Sequence, residues 1–146
     1  MTNFVPSDPS FDARVRASFA KQQVMHSLGV VIERVAPGEV ELSMPYAAGY
    51  TQQHGYIHAG IMTTVLDSAC GYAAFSLMPV DAEVLTIEFK TNLLAPAKGA
   101  RFRVRGHVVK AGRTITVCDG NAYAVEGGAE KLIATMSATL MTLHRR

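Results

Sequence analysis

Two segments of the chain space their apolar residues at the interval of a helix, and most of the remainder alternates at the interval of a strand. The first helical segment begins at Ser10, a candidate N-cap residue, and is predicted to end near Gly29. Residues 1–9 follow neither pattern and are predicted as a flexible lead-in, so that residues 10–146 form a single domain.

The second helical segment, from about His58 to Leu77, is apolar or small on every side. Pro79 ends it, because proline cannot continue a helix. A helix without a polar face must be covered by other elements, and we therefore predict a central helix.

Six segments have the alternation of half-buried strands: Val30–Val35, Glu39–Met44, Glu83–Leu94, Arg101–Lys110, Thr114–Glu126 and Lys131–Leu143. Short turns predict a hairpin from the first two and make the last four antiparallel neighbours in sequence order. Alternation in the third segment places three polar residues on one predicted face: Thr86, Glu88 and Lys90. In the fifth segment the apolar phase falters at 119–121, which predicts a bulge.

This order of elements predicts an α+β fold. One antiparallel sheet of about six strands must curl around the long central helix, since that helix has no other cover. The N-terminal helix is additional to the sheet and the central helix. Part of the central helix is expected to face a second subunit.

Composition and charge exclude several classes of protein. The 146 residues suffice for one compact domain, and the formal net charge of +2 is too small to indicate a nucleic-acid partner. The N-terminus lacks the basic start and apolar run of a signal peptide. The weakly polar stretch 57–80 contains Asp67 and Pro79, which favours a buried helix over a membrane span. We expect a cytoplasmic protein without a membrane partner.

Two cysteines, Cys70 and Cys118, lie far apart and lack the spacing of metal ligands. We expect them to be small buried residues in a reducing compartment, and we expect no metal site.

Asp67 is the one formally charged residue between Leu42 and Val80. A carboxylate within an apolar helix is costly unless it is paired or hydrogen-bonded. Catalysis is one reason for such a residue. The alternative is a structural aspartate satisfied by backbone or by the hydroxyl groups of Thr63 or Thr64, one turn back.

The predicted start of the central helix, at His58, offers a second chemical feature. The amides of Ala59 and Gly60 are among the first-turn donors that have no partner within the helix. The helix dipole adds positive potential there, so these amides are candidates for stabilising an oxyanion. The alternative is an ordinary helix start after a loop.

Three stretches of the chain resemble the hotdog-fold thioesterases, in particular the branch typified by the phenylacetate-pathway acyl-coenzyme A thioesterase. Residues 52–60 resemble the Asn-x-x-Gly-x-x-His-Gly-Gly of that branch, with Gln52 for the usual Asn and Ala59 for the first Gly of His-Gly-Gly. Residues 66–69 resemble the aspartate segment of the helix, and residues 86–96 resemble the third strand.

The resemblance implies a hotdog fold and hydrolysis of an acyl-coenzyme A thioester. It implies that Asp67 is the nucleophile or general base and that Gln52 orients water or substrate. It also implies that His58 bonds the thioester oxygen or holds the loop, that the amides of Ala59 and Gly60 form the oxyanion hole, and that Thr86 helps to hold the water. No cofactor is implied, since coenzyme A is part of the substrate.

His58 and Asp67 are about 13 Å apart along the predicted helix, too far for one side chain to serve both ends. By resemblance, a two-fold dimer resolves this, because Gln52, His58 and Ala59 of one subunit meet Asp67 of the other. The family often forms a dimer of dimers.

Basic residues cluster after the central helix. Lys98 and Arg113 are our candidates for binding the phosphates of coenzyme A. Arg101, Arg103 and Arg105 share one strand face, which either binds phosphate or is solvated. Apolar candidates for the acyl pocket are Tyr50, Tyr56, Ile57, Met62 and Phe75.

Two other functions remain open from the sequence. The first is an enoyl-thioester hydratase or dehydratase on the same fold, since such enzymes also pair a histidine with a helix carboxylate. The second is a non-catalytic module that binds acyl-coenzyme A, which the departures at Gln52 and Ala59 favour.

Overall fold

The computed structural model describes residues 3–145 and contains three α-helices, one 3-10 turn and one sheet in that range. The helices are α1 (Phe11–Ala20), α2 (Gln23–Ser27) and α3 (Ala59–Phe75), and the 3-10 turn is Ala48–Tyr50. The strands are β1 (Val31–Ala36), β2 (Glu39–Pro45), β3 (Ala82–Leu93), β4 (Arg101–Ala111), β5 (Ile115–Glu126) and β6 (Ala129–His144). The predicted α+β hotdog architecture, with a six-stranded antiparallel sheet around one long helix, is confirmed.

The strand order in the sheet is β1-β2-β4-β5-β6-β3, and every neighbouring pair is antiparallel. The prediction that the last four strands are neighbours in sequence order is therefore wrong for β3, which pairs with β6. One edge of β4 is taken by β2 and the other by β5, which leaves no place for β3 beside it. The connection 94–100 crosses between the two positions, and β3 becomes an edge strand.

Two glycines allow α3 to lie directly on the sheet. Gly106 of β4 and Gly120 of β5 are cross-strand partners. A Cβ at Gly106 would lie 2.4 Å from the backbone of Ala69, and one at Gly120 would lie 2.9 Å from Sγ of Cys70. Close packing of the helix on the strands thus requires residues without a side chain at both positions.

The bulge predicted at 119–121 is absent, because all three residues pair in register with β4 and with β6. The nearest register shifts come from extra residues on the neighbouring strands, Ile133 of β6 beside Ala122 and Val109 of β4 beside Cys118. The gap in the apolar pattern instead reflects Gly120, which faces the helix without a side chain.

The N-terminal helix differs from the prediction, because the single helix from Ser10 to Gly29 is divided into α1 and α2. Gln22 separates them with an extended backbone, and its Oε1 accepts a hydrogen bond of 2.6 Å from Oγ of Ser68. Ser10 occupies the N-cap position of α1, but its side chain makes no capping bond. Its backbone amide donates to Oδ1 of Asp8 at 2.8 Å.

The segment before α1 contacts the body of the domain. Phe4 packs against the core, and buried Asp8 forms an ion pair of 3.3 Å with Arg14. The division of the chain at residue 9 stays a prediction, and residues 1–2 and 146 of those two ranges lie outside the described residues.

Arg14 of α1 caps the C-terminal end of α3. Its guanidinium donates to the carbonyl oxygens of Phe75 at 3.0 Å and Met78 at 2.7 Å, and also to that of Pro79. Carbonyl groups at a helix end lack helical partners, so this contact fixes the end of α3. Between residues 3 and 145, α3 and the other helices are too short or too polar to cross a membrane.

Candidate active site

Five of the six residues predicted to act together line two cavities of the chain, which lie at opposite ends of β3. The first, which we call the loop cavity, has a volume of about 510 Å³. It is lined by the predicted residues Gln52, His58 and Ala59, together with Leu93, the last residue of β3, and Leu94, which follows it. The second, the carboxylate cavity, has a volume of about 400 Å³. It contains Asp67 and the start of β3, from Glu83 to Thr86.

Gln52 closes the loop that precedes α3. Its Oε1 accepts hydrogen bonds from the backbone amides of His54 at 2.6 Å and Tyr56 at 3.2 Å. Gly55 supports this turn with a φ of +84°, a conformation that suits glycine. The amide oxygen of Gln52 is therefore occupied by the loop, while its Nε2 group has no partner among the hydrogen bonds of residues 3–145.

His58 is the N-cap of α3, and its Nδ1 accepts a hydrogen bond of 2.9 Å from the amide of Gly60. A Cβ at residue 60 would lie 3.1 Å from this nitrogen, so the absence of a side chain at Gly60 leaves room for the imidazole ring. Because Nδ1 accepts, the proton of the neutral ring is on Nε2, which can donate.

This cap changes which amides at the start of α3 are free. The Gly60 amide is engaged with His58, whereas the Ala59 amide has no partner among the hydrogen bonds of residues 3–145. The available donors at this helix end are therefore the amide of Ala59 and Nε2 of His58. Both lie at the positive end of the helix dipole.

Asp67 is half-buried and accepts a hydrogen bond of 2.8 Å at Oδ1 from Oγ1 of Thr86. The two threonines considered as structural partners bond elsewhere. Oγ1 of Thr64 donates to the carbonyl of Gly60 at 2.8 Å, and Oγ1 of Thr63 donates to Thr91 at 3.2 Å. The structure thus brings together Asp67 and Thr86, and among residues 3–145 no hydrogen bond is made to the other carboxylate oxygen, Oδ2.

The predicted phosphate-binding residues lie far apart. Lys98 is exposed in the connection 94–100, directly after Ala97 of the loop cavity. Arg113 is exposed in the turn between β4 and β5, near Leu77 and Pro79 beyond the C-terminal end of α3.

The three arginines of β4 form ion pairs on the outer face of the sheet. Arg101 pairs with Glu33 at 3.4 Å. Arg105 contacts Glu41 at 2.8 Å and Glu130 at 3.1 Å, and these carboxylates raise its pKa. Arg103 contacts the same two glutamates. This strand face is an ion-pair network rather than a set of free cations.

Three of the five apolar candidates for the acyl pocket line the loop cavity, namely Tyr56, Ile57 and Met62. Tyr50 donates its hydroxyl to the carbonyl of Ser27 at 2.9 Å. Phe75 is buried at the other end of α3, where the guanidinium of Arg14 lies over its ring.

The carboxylate cavity also contains residues that sequence reasoning missed. Ser18 and Gln22 reach it from the N-terminal helices, and Ser68 and Tyr72 reach it from α3. The helical period placed Gln22 inside a continuous helix, so only the break between α1 and α2 reveals it.

Both cysteines are buried side by side, with Sγ of Cys118 at 3.5 Å from the carbonyl of Cys70. Burial raises the pKa of both thiols, that of Cys118 to about 12. Within the described part of the chain, no group of three or more histidine, cysteine, aspartate or glutamate residues is placed to hold a metal ion.

Comparison with known proteins identifies the family and the fold. Residues 54–131 match the family model of the thioesterase superfamily. A protein of Halobacterium salinarum named as a candidate esterase is 32% identical over 124 residues, which cover 82% of this chain and 80% of the relative.

Two solved structures have the same fold. A thioesterase family protein from Silicibacter pomeroyi is 59% identical, with a TM-score of 0.91 and coverage of 92% of this chain and 99% of that one. The PaaI protein from the phenylacetic acid degradation operon of E. coli has a TM-score of 0.82 at 18% identity and covers 92% and 94% of the two chains. At that identity, the second likeness concerns the fold alone.

Proposed function

Because the chain belongs to the thioesterase superfamily, we propose that it hydrolyses acyl-coenzyme A thioesters to a carboxylic acid and free coenzyme A. The motif at residues 52–60 favours the phenylacetate-pathway branch of that family. The observation that carries the proposal is the division of the catalytic groups between two cavities at opposite ends of an edge strand.

A homodimer formed through β3 unites the two cavities. This edge strand exposes Leu85, Ile87, Phe89 and Leu93 by 58%, 53%, 45% and 59%. Long apolar edge strands invite pairing with another chain, and folded proteins seldom leave them open. A second copy of β3, antiparallel to the first, covers this edge and generates a two-fold axis.

The register of this pairing follows from where the cavities lie. Thr86 belongs to the carboxylate cavity, and Leu93 belongs to the loop cavity. A two-fold axis between positions 89 and 90 sets Thr86 of one copy opposite Leu93 of the other. Asp67 of one subunit then meets the His58 end of α3 from the second subunit.

The chemistry needs one base or nucleophile and two oxyanion donors. As a base, Asp67 takes a proton from a water whose oxygen attacks the thioester carbonyl carbon. As a nucleophile, its carboxylate attacks that carbon and displaces the thiolate of coenzyme A to leave a mixed anhydride, which water then hydrolyses to the acid and free Asp67. The developing oxyanion accepts from the amide of Ala59 and from Nε2 of His58. The C–S bond breaks, and the thiolate of coenzyme A takes up the proton.

The remaining predicted residues have supporting roles in this proposal. Gln52 offers its Nε2 to the water or to the thioester, while its Oε1 holds the loop. The hydroxyl of Thr86 fixes one oxygen of Asp67 and directs the other toward the substrate. The amide of Gly60 donates to His58 and so does not bind the oxyanion in this proposal. Gly60 instead leaves the space that the His58 ring occupies.

Coenzyme A would extend from this site toward basic residues. Lys98 directly follows Ala97, which lines the loop cavity, and it is the candidate on that subunit. Arg113 lies in a separate cavity beyond the C-terminal end of α3, and it is the candidate on the other subunit. Both are exposed, so each can bind a phosphate without desolvation of a buried ion pair.

A dimer of dimers is the proposed larger assembly. Ile115 and Val117 of β5 are exposed on the outer face of the sheet and offer an apolar surface for it. We place the reaction in the cytoplasm, because two cysteines that form no disulfide are typical of a reducing compartment.

Thiol release from a panel of acyl-coenzyme A esters tests the function. We expect stoichiometric release of thiol and carboxylic acid by the wild-type protein. Loss of enoyl absorbance without thiol would instead assign a hydratase, and ligand binding without any turnover would assign a binding module.

A further inference from the structure

Tyr50 connects the loop before α3 to the N-terminal helices. It is the last residue of the 3-10 turn, and its half-buried side chain packs against the core. Its hydroxyl donates a hydrogen bond of 2.9 Å to the carbonyl oxygen of Ser27, the last residue of α2. Carbonyl groups in the last turn of a helix have no partner within that helix, so this oxygen is open to an outside donor. The phenol end of Tyr50 is thus tied to α2.

The backbone of Tyr50 holds the start of α3. Its carbonyl oxygen accepts a hydrogen bond of 2.9 Å from the amide of His58, the N-cap residue. The carbonyl oxygen of His58 accepts instead from the amides of Ile61 at 2.9 Å and Met62 at 3.3 Å. The carbonyl side of His58 is therefore fixed by α3 itself, whereas its amide side is fixed by Tyr50.

This division affects the two proposed oxyanion donors differently. The Ala59 amide belongs to the same peptide group as the His58 carbonyl, so the helix holds it in place. The direction of the His58 ring also depends on the preceding peptide group, between residues 57 and 58, whose amide bonds to Tyr50. A displaced catalytic group loses much of its effect on the transition state. The contact with Tyr50 therefore bears on Nε2 of His58 more than on the Ala59 amide.

We propose that Tyr50 is a positioning residue, which holds the His58 donor at the oxyanion by tying the start of α3 to the end of α2. This inference rests on the proposed thioesterase function and adds a residue that does not line the loop cavity. The role requires the hydroxyl group, while the ring supplies packing.

A second tyrosine of the same loop region provides a contrast. The exposed Tyr46 donates its hydroxyl to the carbonyl of Gly55 at 3.4 Å. Gly55 lies in the turn that Gln52 closes, and neither Tyr46 nor Gly55 bonds to His58. Removal of this hydroxyl changes the loop without affecting the contact between Tyr50 and the start of α3.

Matched removal of the two hydroxyl groups tests the proposal, with thiol release from the best acyl-coenzyme A ester as the assay. For Tyr50→Phe we expect kcat to fall about fivefold, the worth of one ordinary hydrogen bond, with KM unchanged. KM stays constant because the oxyanion forms only after the substrate has bound. Tyr46→Phe is the control, and its kcat should remain within about twofold of wild type.

A double-mutant cycle with His58→Ala distinguishes positioning from a general effect on the fold. Because Tyr50 acts through the His58 ring, its hydroxyl has little left to position once that ring is removed. Tyr50→Phe should then cost less than about twofold in the His58→Ala protein, against about fivefold in the wild type. A loss of stability alone would lower both proteins by the same factor.

The outcomes separate this inference from the proposed function. A Tyr50→Phe variant with the kcat of wild type overturns the inference, and so does an equal loss in Tyr46→Phe. The same fold-loss with and without the His58 ring also overturns it, and all three results leave the thioesterase function standing. Absence of thiol release by the wild-type protein from every ester overturns the function and the inference together.

Discussion

Thr86 and Glu88 are two positions apart in β3 but lie on opposite faces of the sheet. Thr86 is opposite the buried Leu140 of β6, and Glu88 is opposite Thr139 on the outer face. The register shifts between them, so Ile87 is an extra residue in the strand. Strict alternation had predicted one shared face, which is wrong, because a bulge reverses the direction of the side chains.

The bulge turns the Thr86 hydroxyl toward Asp67, and Thr86→Val tests what that hydroxyl does. Valine keeps the shape but cannot donate to the carboxylate, so we expect kcat to fall about tenfold with little change in KM. Thr86→Ser should retain most of the activity. Equal losses in both variants would indicate that the methyl group, rather than the hydroxyl, matters at this position.

Removal of the charge at Asp67 should affect turnover more strongly. Asp67→Asn keeps the shape of the side chain but cannot accept a proton, and we expect kcat to fall at least about 100-fold. Thiol release measures the rate, while light scattering checks that the assembly is unchanged. Turnover like that of the wild type would remove Asp67 from the mechanism.

Neighbouring substitutions at the start of α3 should have opposite results. Ala59→Gly keeps the free backbone amide, so kcat should stay within about twofold of wild type. Gly60→Ala should favour the helix by up to about 1 kcal/mol but press on the His58 ring, since a Cβ there lies 3.1 Å from Nδ1. We expect a higher Tm with lower kcat for Gly60→Ala. A large loss in Ala59→Gly would contradict the role of its amide.

Mixed dimers test whether each site combines two subunits. Each proposed site combines Asp67 of one subunit with His58 of the other. In a mixed dimer of Asp67→Asn and His58→Ala subunits, one site therefore contains both substitutions and the other contains neither. Co-expression should restore about a quarter of the wild-type activity, since half of the dimers are mixed and each has one good site. If each subunit held a complete site, the mixture would be no more active than its components.

The buried thiols should be inert in the folded protein. Because burial raises the pKa of both thiols, that of Cys118 from 9.0 to about 12, almost no thiolate forms at about pH 8. A colorimetric disulfide reagent should detect both thiols only after denaturation. Rapid labelling of the native protein would contradict their burial.

The same pKa shifts predict a dependence of stability on pH. The neutral thiol is favoured in the folded state, so its contribution to the free energy of unfolding is present below the unfolded value of 9.0. It is lost as the pH rises from there toward about 12. Denaturant titration should show this loss, reduced in a Cys118→Ala variant.

The sequence alone determined the class of fold, the order of elements and the position of the central helix. The expected helix from His58 to Leu77 differs from α3 by only a residue or two at each end, with His58 as N-cap. Such features follow from hydrophobic periodicity and from the proline and glycine residues that end helices and form turns, which are local properties of a chain. The isolated Asp67 was visible for the same reason, since its neighbours in sequence are apolar.

The tertiary structure alone decided where β3 lies, which face Thr86 takes, and what Gln22 contacts. Each depends on residues distant in sequence: β3 is at an edge because β2 and β5 occupy both sides of β4, and Gln22 leaves the helical path where it meets Ser68. Hydrophobic periodicity records whether a residue is buried, but it does not record which element buries it. Strand order, bulges and cavity walls depend on which element buries each residue, and that is decided by contacts between distant parts of the chain.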